Sequence, residues 1–218
     1  MSLKQYRELE RGEFIIAAGD LAAGCGDRSV TQFLSVTKLD VPIVYSSFNL
    51  GSDMTTAIFP ALEAISDITK FKPLVAFERA SAGWSEMERL ATLNRLGKFA
   101  IYQMPQTGII NPEQTNKLGW DTNSATRPQM LSGLKEAIDN KLFRIYDRLT
   151  IEELFSFVIV QTSNAVKAQA EKNAHDDHVM SLAIAWQIYQ QTHDYGLYSL
   201  NRNQVNIETR QINRGRWR

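Results

Sequence analysis

Cysteine is nearly missing from this chain. Cys25 stands alone among 218 residues, so no internal disulfide can form, and a reducing compartment is expected. Net charge is missing as well: 24 basic residues offset 24 acidic ones, and no global basic field advertises a polyanionic partner. No basic start leads into an apolar stretch, so no secretory signal is visible. The longest apolar segments are too short and too interrupted to span a bilayer. A soluble, intracellular protein is expected, with no membrane association. Internal repeats, low-complexity tracts and a linker strong enough to split the chain are also lacking. What remains is a chain that is 44% hydrophobic, long enough for one substantial core. Its opening, Met1-Ser2-Leu3, reads as the continuation of something larger.

Polar residues 4–12 read as a lead-in. Phe14-Ile15-Ile16-Ala17-Ala18 is a short apolar run before Gly19-Asp20, suited to a central strand buried on both faces. Residues 29–37 alternate through Val30, Gln32, Leu34 and Val36, and residues 42–49 carry Ile43, Val44, Tyr45 and Phe48. Three sequential strands with short connections predict an antiparallel meander. Asp53 is placed to cap a helix running to Lys70, with Ile58, Leu62, Ile65 and Ile68 at helical spacing. Leu74-Val75-Ala76-Phe77 predicts another buried strand, closed by Glu78. A helix is expected from Trp84 to Leu96 and a strand at Phe99–Tyr102. Gln103 to Arg127 reads as a long loop or flap. Helices over 129–140 and 151–160, the second capped by Thr150, flank a short strand at 143–146. Residues 162–172 are polar, and the most apolar helix then runs from Val179 to about His193. The order predicts an α/β fold, a central mixed sheet with helices on its faces.

Three acidic positions close apolar elements. Asp20 ends the first core strand, Glu78 ends another, and His175-Asp176-Asp177-His178 opens the last long helix. Adjacent carboxylates at the mouth of a buried helix are costly unless something cationic neutralises them. Mg²⁺ or Mn²⁺ prefers such hard oxygen donors, and a pair of ions can support phosphodiester hydrolysis. Asp20 and Glu78 lie side by side if their strands are neighbours. Asp177 shares a stripe with Ser181, Ile184, Ala185 and Ile188, whose small members permit close approach to the sheet. Asp176, rotated around the helix, is placed to reach a second ion or orient a water. Each acid alone has an ordinary explanation, since Asp suits first helical turns and turns generally. The coincidence of all three carries the argument.

His175 is expected to hydrogen-bond a carboxylate or assist proton transfer, and His178 to lie at the surface or behind the ligands. With one cysteine, the tetrad is no zinc signature. Gly19 to Gly24 fits half of a phosphate-binding loop, but Cys25-Gly26 replaces the required Lys and hydroxyl residue. Lys117, Trp120, Asn123, Thr126 and Arg127 suit a DNA backbone groove as well as a packed surface loop. Lys117 and Arg127, with Arg28 after the glycine turn, are the candidate DNA contacts. The four tryptophans are expected in or beside the core. From Asn201 onward, five arginines face one glutamate, giving a basic tail that is either solvated or in reach of phosphates.

The run Ile15-Ile16-Ala17-Ala18-Gly19-Asp20-Leu21-Ala22-Ala23-Gly24, followed by Gly26-Asp27-Arg28-Ser29, resembles the opening strand and turn of the nuclease domain of tailed-phage large terminases. Phe77-Glu78 with Gly83 resembles the second acidic motif of that family. Gly119-Trp120-Asp121-Thr122-Asn123 is similar to a segment before its next helix. Ala174-His175-Asp176-Asp177-His178-Val179-Met180-Ser181-Leu182-Ala183 resembles the third motif, with His178 where an aliphatic residue is more usual. The resemblance runs from about Phe14 to Gln190.

It implies a ribonuclease-H-like fold over residues 13–193, after a lead-in at 1–12 and before a basic tail at 194–218. It also implies metal-dependent endonuclease action on concatemeric double-stranded viral DNA, with two Mg²⁺ or Mn²⁺ ions. Asp20, Glu78 and Asp177 would hold them, Asp176 would support, and His175 would assist. The implied partners are DNA, an ATPase motor domain outside this sequence, a portal and a small terminase subunit, in the cytoplasm of a bacterial host. Three alternatives stay open: another ribonuclease-H-like nuclease such as a junction resolvase or transposase core, a non-catalytic module docking on DNA or a portal, and an actin-like or sugar-kinase half-domain.

Overall fold

In the computed structural model, which describes residues 2–22, 27–48, 51–80, 82–105, 114–162, 165–170 and 175–194, the apolar runs become strands and the periodic segments become helices. In chain order the elements are β1 (Ser2–Gln5), β2 (Ile15–Asp20), β3 (Ser29–Ser35), β4 (Asp40–Ser47), α1 (Met54–Thr69), β5 (Leu74–Phe77), α2 (Gly83–Leu93) and β6 (Ala100–Ile101). They continue with β7 (Gln103–Pro105), β8 (Gln114–Leu118), α3 (Thr126–Asp139), β9 (Arg144–Ile145), α4 (Arg148–Ser156), β10 (Phe157–Thr162), β11 (Ala165–Ala170) and α5 (Asp177–Asp194).

The main sheet has the order β1-β4-β3-β2-β5-β6, with β9 also paired to β4. Strands β2, β3 and β4 form the expected antiparallel meander. Strands β5 and β6 then add in parallel on the far side of β2. β2 is therefore a central strand, and its side chains from Ile15 to Ala18 are buried on both faces. Helices cover each face. One apolar cluster joins α1 and α2 to the sheet through Ile58, Leu62, Met87 and Leu90. The other joins α3 and α5 through Met130, Leu134, Leu182 and Ile184. No helix among the described residues is long and apolar enough to cross a membrane.

Helix α5 is apolar around most of its circumference because it is sandwiched. It packs on β2 and β3 from one side and on α3 and α4 from others. Ser181, Ile184, Ala185 and Ile188, the stripe expected to share a face with Asp177, are all fully buried.

Several elements differ from the sequence reading. The polar opening contributes β1, an edge strand on β4, because main-chain pairing at an edge needs no apolar side chains. The supposed flap contains the β7–β8 hairpin, and Trp120 bridges to Glu78. The helix expected over 151–160 ends at Ser156 and gives way to the β10–β11 hairpin, where Val158-Ile159-Val160 favours extended backbone. Asp147, not Thr150, caps α4: its Oδ2 accepts the Thr150 amide at 2.9 Å and the Thr150 hydroxyl at 3.0 Å. Asp53 occupies the cap position of α1 but makes no side-chain cap bond. Trp120 and Trp186 are buried, whereas Trp84 is 51% exposed. The fourth tryptophan, Trp217, lies outside the described residues, as do the basic tail, Cys25 and its flanking glycines Gly24 and Gly26.

Candidate metal centre

Asp20 and Glu78 become neighbours because β2 and β5 run parallel in register, with Gly19 opposite Phe77. The Glu78 amide donates to the Gly19 carbonyl at 2.8 Å, and the Glu78 carboxylate is the charged group that acts most strongly on the Asp20 carboxyl. Two glycines press on the end of β5. A Cβ on Gly83 would stand 1.6 Å from the Glu78 carbonyl oxygen. Gly119, at φ +85°, would place one 2.6 Å from the Phe77 carbonyl. The Trp120 amide donates to the Phe77 carbonyl at 2.8 Å, and the Arg79 amide donates to the Trp120 carbonyl at 2.7 Å. Glu78 is thus held from both sides by backbone. Only residues without a side chain permit that approach.

The third acid arrives from the other end of the chain. Strand β3 begins beside the end of β2, with Val30 opposite Asp20. Just before it, the Arg28 amide donates to Asp177 Oδ2 at 3.0 Å. The start of α5 is thereby tied to the residue just before β3. The arrangement gathers the C-terminal ends of β2 and β5, the start of β3 and the first turn of α5 at one end of the sheet.

Electrostatics reflect this crowding. Burial, then the Glu78 carboxylate, and then Asp177 and Asp176 push the Asp20 carboxyl well above the usual carboxylate range. Asp177 is raised to about 6, first by burial, with the Arg28 amide opposing and the charges of Glu153, Asp27 and Asp176 adding to the rise. Asp176 points toward the same region, but its Oδ2 accepts a hydrogen bond from Arg127 at 2.9 Å. That ion pair makes Asp176 a partner of a cation already present.

The remaining expected site residues divide. His175 Nδ1 lies 3.8 Å from Asp177 Oδ2 and 3.9 Å from Asp27 Oδ1, at the mouth of the group but beyond hydrogen-bonding distance. Arg28 sends its guanidinium over the exposed Phe48 ring, 3.9 Å from the centroid, while its amide serves Asp177. Lys117 lies in β8, and its side chain is outside what the structure describes. His178 is not at the surface; it is fully buried and paired with Glu153, its Nδ1 2.6 Å from Oε1. Sequence reasoning passed over Glu153, since one acid in an amphipathic helix carries no distinguishing signal. It also passed over Asp27 as an electrostatic neighbour.

Among the described residues, no three acidic, histidine or cysteine side chains stand close enough as drawn to enclose an ion. The donor set nevertheless fits a hard divalent cation. It consists of carboxylate oxygens, it is partly desolvated, and its first two members end neighbouring parallel strands. Arg127 pairs with Asp176, and among the described residues no Lys or Arg ion pair is formed by Asp20, Glu78 or Asp177.

The fold is similar to those of solved proteins. The large terminase nuclease of thermophilic phage G20c with bound cobalt matches over 84% of this chain and 84% of its own, at 19% identity and a TM-score of 0.58. The chain has the ribonuclease-H-like fold of a phage terminase nuclease. The G20c nuclease with bound magnesium matches over the same shares at 20% identity and a TM-score of 0.56. The Thermus phage P74-26 large terminase nuclease domain matches over 84% of this chain and 82% of its own, at 20% identity and a TM-score of 0.55. No protein-family model matches the sequence, and no curated protein matches it. The terminase nucleases are thus relatives in architecture. Their metals are bound to those proteins.

Proposed function

We propose that this chain is the nuclease domain of a phage large terminase, cutting concatemeric double-stranded DNA by divalent-metal-dependent hydrolysis. The observation that carries this is the convergence of Asp20, Glu78 and Asp177 from three distant segments at one end of the sheet. The shared architecture with terminase nucleases solved with cobalt and with magnesium supports it. The nuclease unit spans 13–193, with β1 as an added edge strand, and residues 194–218 form a basic tail.

Asp20, Glu78 and Asp177 would hold the ions, two of Mg²⁺ or Mn²⁺, with Asp176 at the margin. When bound, such ions supply Lewis-acid activation of water and neutralise charge that develops on the phosphate. The chain's own residues do the positioning. Gly83 and Gly119 keep Glu78 at its place, and the Arg28 amide orients the Asp177 carboxylate. Burial keeps Asp20 from wandering into solvent. Arg127 and Arg28, with Lys117 in β8, provide cations for the DNA backbone. His175, at the mouth, is placed to pass a proton between solvent and the carboxylates. An ATPase motor domain, a portal and a small subunit would be the working partners, in the cytoplasm of the bacterial host.

The test is cleavage of plasmid DNA with Mg²⁺ or Mn²⁺. Nicking and linearisation are expected from the natural chain, and none from Asp20→Ala or Asp177→Ala. Unchanged cutting by either variant rejects the assignment. Preference for four-way junctions over linear duplex would turn the reading toward a resolvase.

A further inference from the structure

One buried acid near the site serves neither the core nor the carboxylate group directly. Glu153, in α4, spends both carboxylate oxygens on a single residue. Oε2 accepts the backbone N–H of His178 at 2.8 Å, and Oε1 lies 2.6 Å from Nδ1 of the same residue. His178 is fully buried, and the Glu153 side chain is only 12% exposed. His178 follows Asp177 directly in the first turn of α5.

The pair is itself held rigidly. Asp147 caps α4 through Thr150, and Asp147 also accepts Lys4 Nζ at 3.1 Å and the Tyr6 hydroxyl at 2.5 Å. From β3, Gln32 Nε2 donates to the Thr150 hydroxyl at 2.8 Å and to the His178 carbonyl at 3.4 Å. The far ring nitrogen, Nε2, lies 4.0 Å from Asp147 Oδ2 and has no hydrogen-bond partner among the described residues. The first turn of α5 is therefore fastened to α4 by Glu153 and to the sheet by Gln32. A carboxylate at a helix N-terminus is favoured by the free amides there, and burial strengthens each bond.

We infer that Glu153 is a positioning residue, holding the entrance of α5 through His178 so that the Asp177 carboxylate stands where a divalent ion is bound. This rests on the metal-dependent nuclease reading. Glu153 acts through His178 and does not touch the ion. Residues that orient a ligand from behind commonly change metal affinity by ~10–100-fold when removed.

The experiment is a calorimetric Mn²⁺ titration of the whole chain, with a thermal melt of each variant beside it. Glu153→Ala is expected to weaken Mn²⁺ binding by ~10–100-fold. Glu153→Gln is expected to restore it, because the amide oxygen still accepts the His178 N–H and the amide nitrogen can donate to Nδ1. A direct ligand would lose affinity equally in both variants, which overturns the inference. Glu153→Ala that melts lower yet binds Mn²⁺ as the natural chain does also overturns it. Should Glu153→Ala not fold, Glu153→Asp decides: it keeps the charge and loses the reach, so undiminished binding overturns the proposal. Failure of the natural chain to bind Mn²⁺ overturns the nuclease reading and this inference together. Binding that Asp20→Ala weakens and Glu153→Ala spares overturns this inference alone.

Discussion

Asp20 and Glu78 stand side by side at the ends of two parallel strands, where the Glu78 amide donates to the Gly19 carbonyl. Burial and three neighbouring carboxylates make Asp20 resist ionisation. In the unfolded chain it ionises from the ordinary value of 3.8 upward. Stability is therefore lost as pH rises above that value, toward the raised folded value. Asp20→Asn removes the penalty. Without metal, the variant is expected to melt above the natural chain at pH 7, by about 2–4 °C for each kcal/mol of relief. The same variant should cut no DNA. Calorimetric melts at pH 4 and pH 7 in EDTA check it, with the gap between the two proteins widening at the higher pH.

Divalent ions should reverse that penalty in the natural chain. Binding to the folded state alone adds about 2.7 kcal/mol at a hundredfold excess over Kd. Mn²⁺ is expected to raise the melting temperature of the natural chain and leave Asp20→Asn nearly unmoved. Because Asp177 is held up to about 6, protons should compete with the ion and the Mn²⁺-induced shift should shrink as pH falls through that value. EDTA should abolish it at every pH.

Gly83→Ala is expected to damage the site without touching an acid. The added methyl would meet the Glu78 carbonyl oxygen at 1.6 Å, so either β5 or the start of α2 must move. Overpacking of this kind costs about 1–3 kcal/mol. Cleavage should fall far more than stability does, since Glu78 moves with its own carbonyl. Plasmid nicking and a urea melt on one preparation separate the two effects.

Asp147→Asn should lower stability at neutral pH and blunt its loss in acid. Burial opposes the Asp147 charge, but hydrogen bonds from Tyr6, the Thr150 amide, Lys4 and the Thr150 hydroxyl outweigh it and hold the carboxyl down to about 2. That stabilisation, on the order of 2 kcal/mol, is fully present above the ordinary value of 3.8 and is lost as pH falls through about 2. Urea unfolding at pH 7 and near pH 2.5 should show the difference between the two proteins shrinking in acid.

Arg127→Ala separates DNA contact from metal holding. Arg127 is about 30% exposed and pairs with Asp176, so its removal should weaken DNA binding and lower the salt slope by about one. Mn²⁺ binding should persist. A drop in Mn²⁺ affinity would instead make Asp176 dependent on Arg127 for its place at the ions.

The meander was legible because residues 14–18, 29–37 and 42–49 each carry an apolar run or an alternation that few other structures tolerate. Asp20 and Glu78 were legible because each ends such a run. The hairpins left a weaker trace: β7–β8 falls in a Gly- and Asn-rich stretch that reads as loop, and the apolar run of β10 reads equally as the end of a helix. Glu153 was invisible for a related reason. Its importance comes from His178 lying within reach of both its oxygens, a relation between α4 and α5 that only tertiary packing creates. His178 was expected at the surface or behind the ligands; its ring is fully buried and bonded through Nδ1 to Glu153, while its carbonyl accepts Gln32.

The acids that meet at the sheet's end belong to the first core strand, the middle of the chain and the last described helix. A ribosome must therefore extend the chain past Asp177 before the set is complete. On the proposed reading, copies that stop before Asp177 would lack the means to sever a genome, and cutting power would appear only once that last helix has folded onto the sheet.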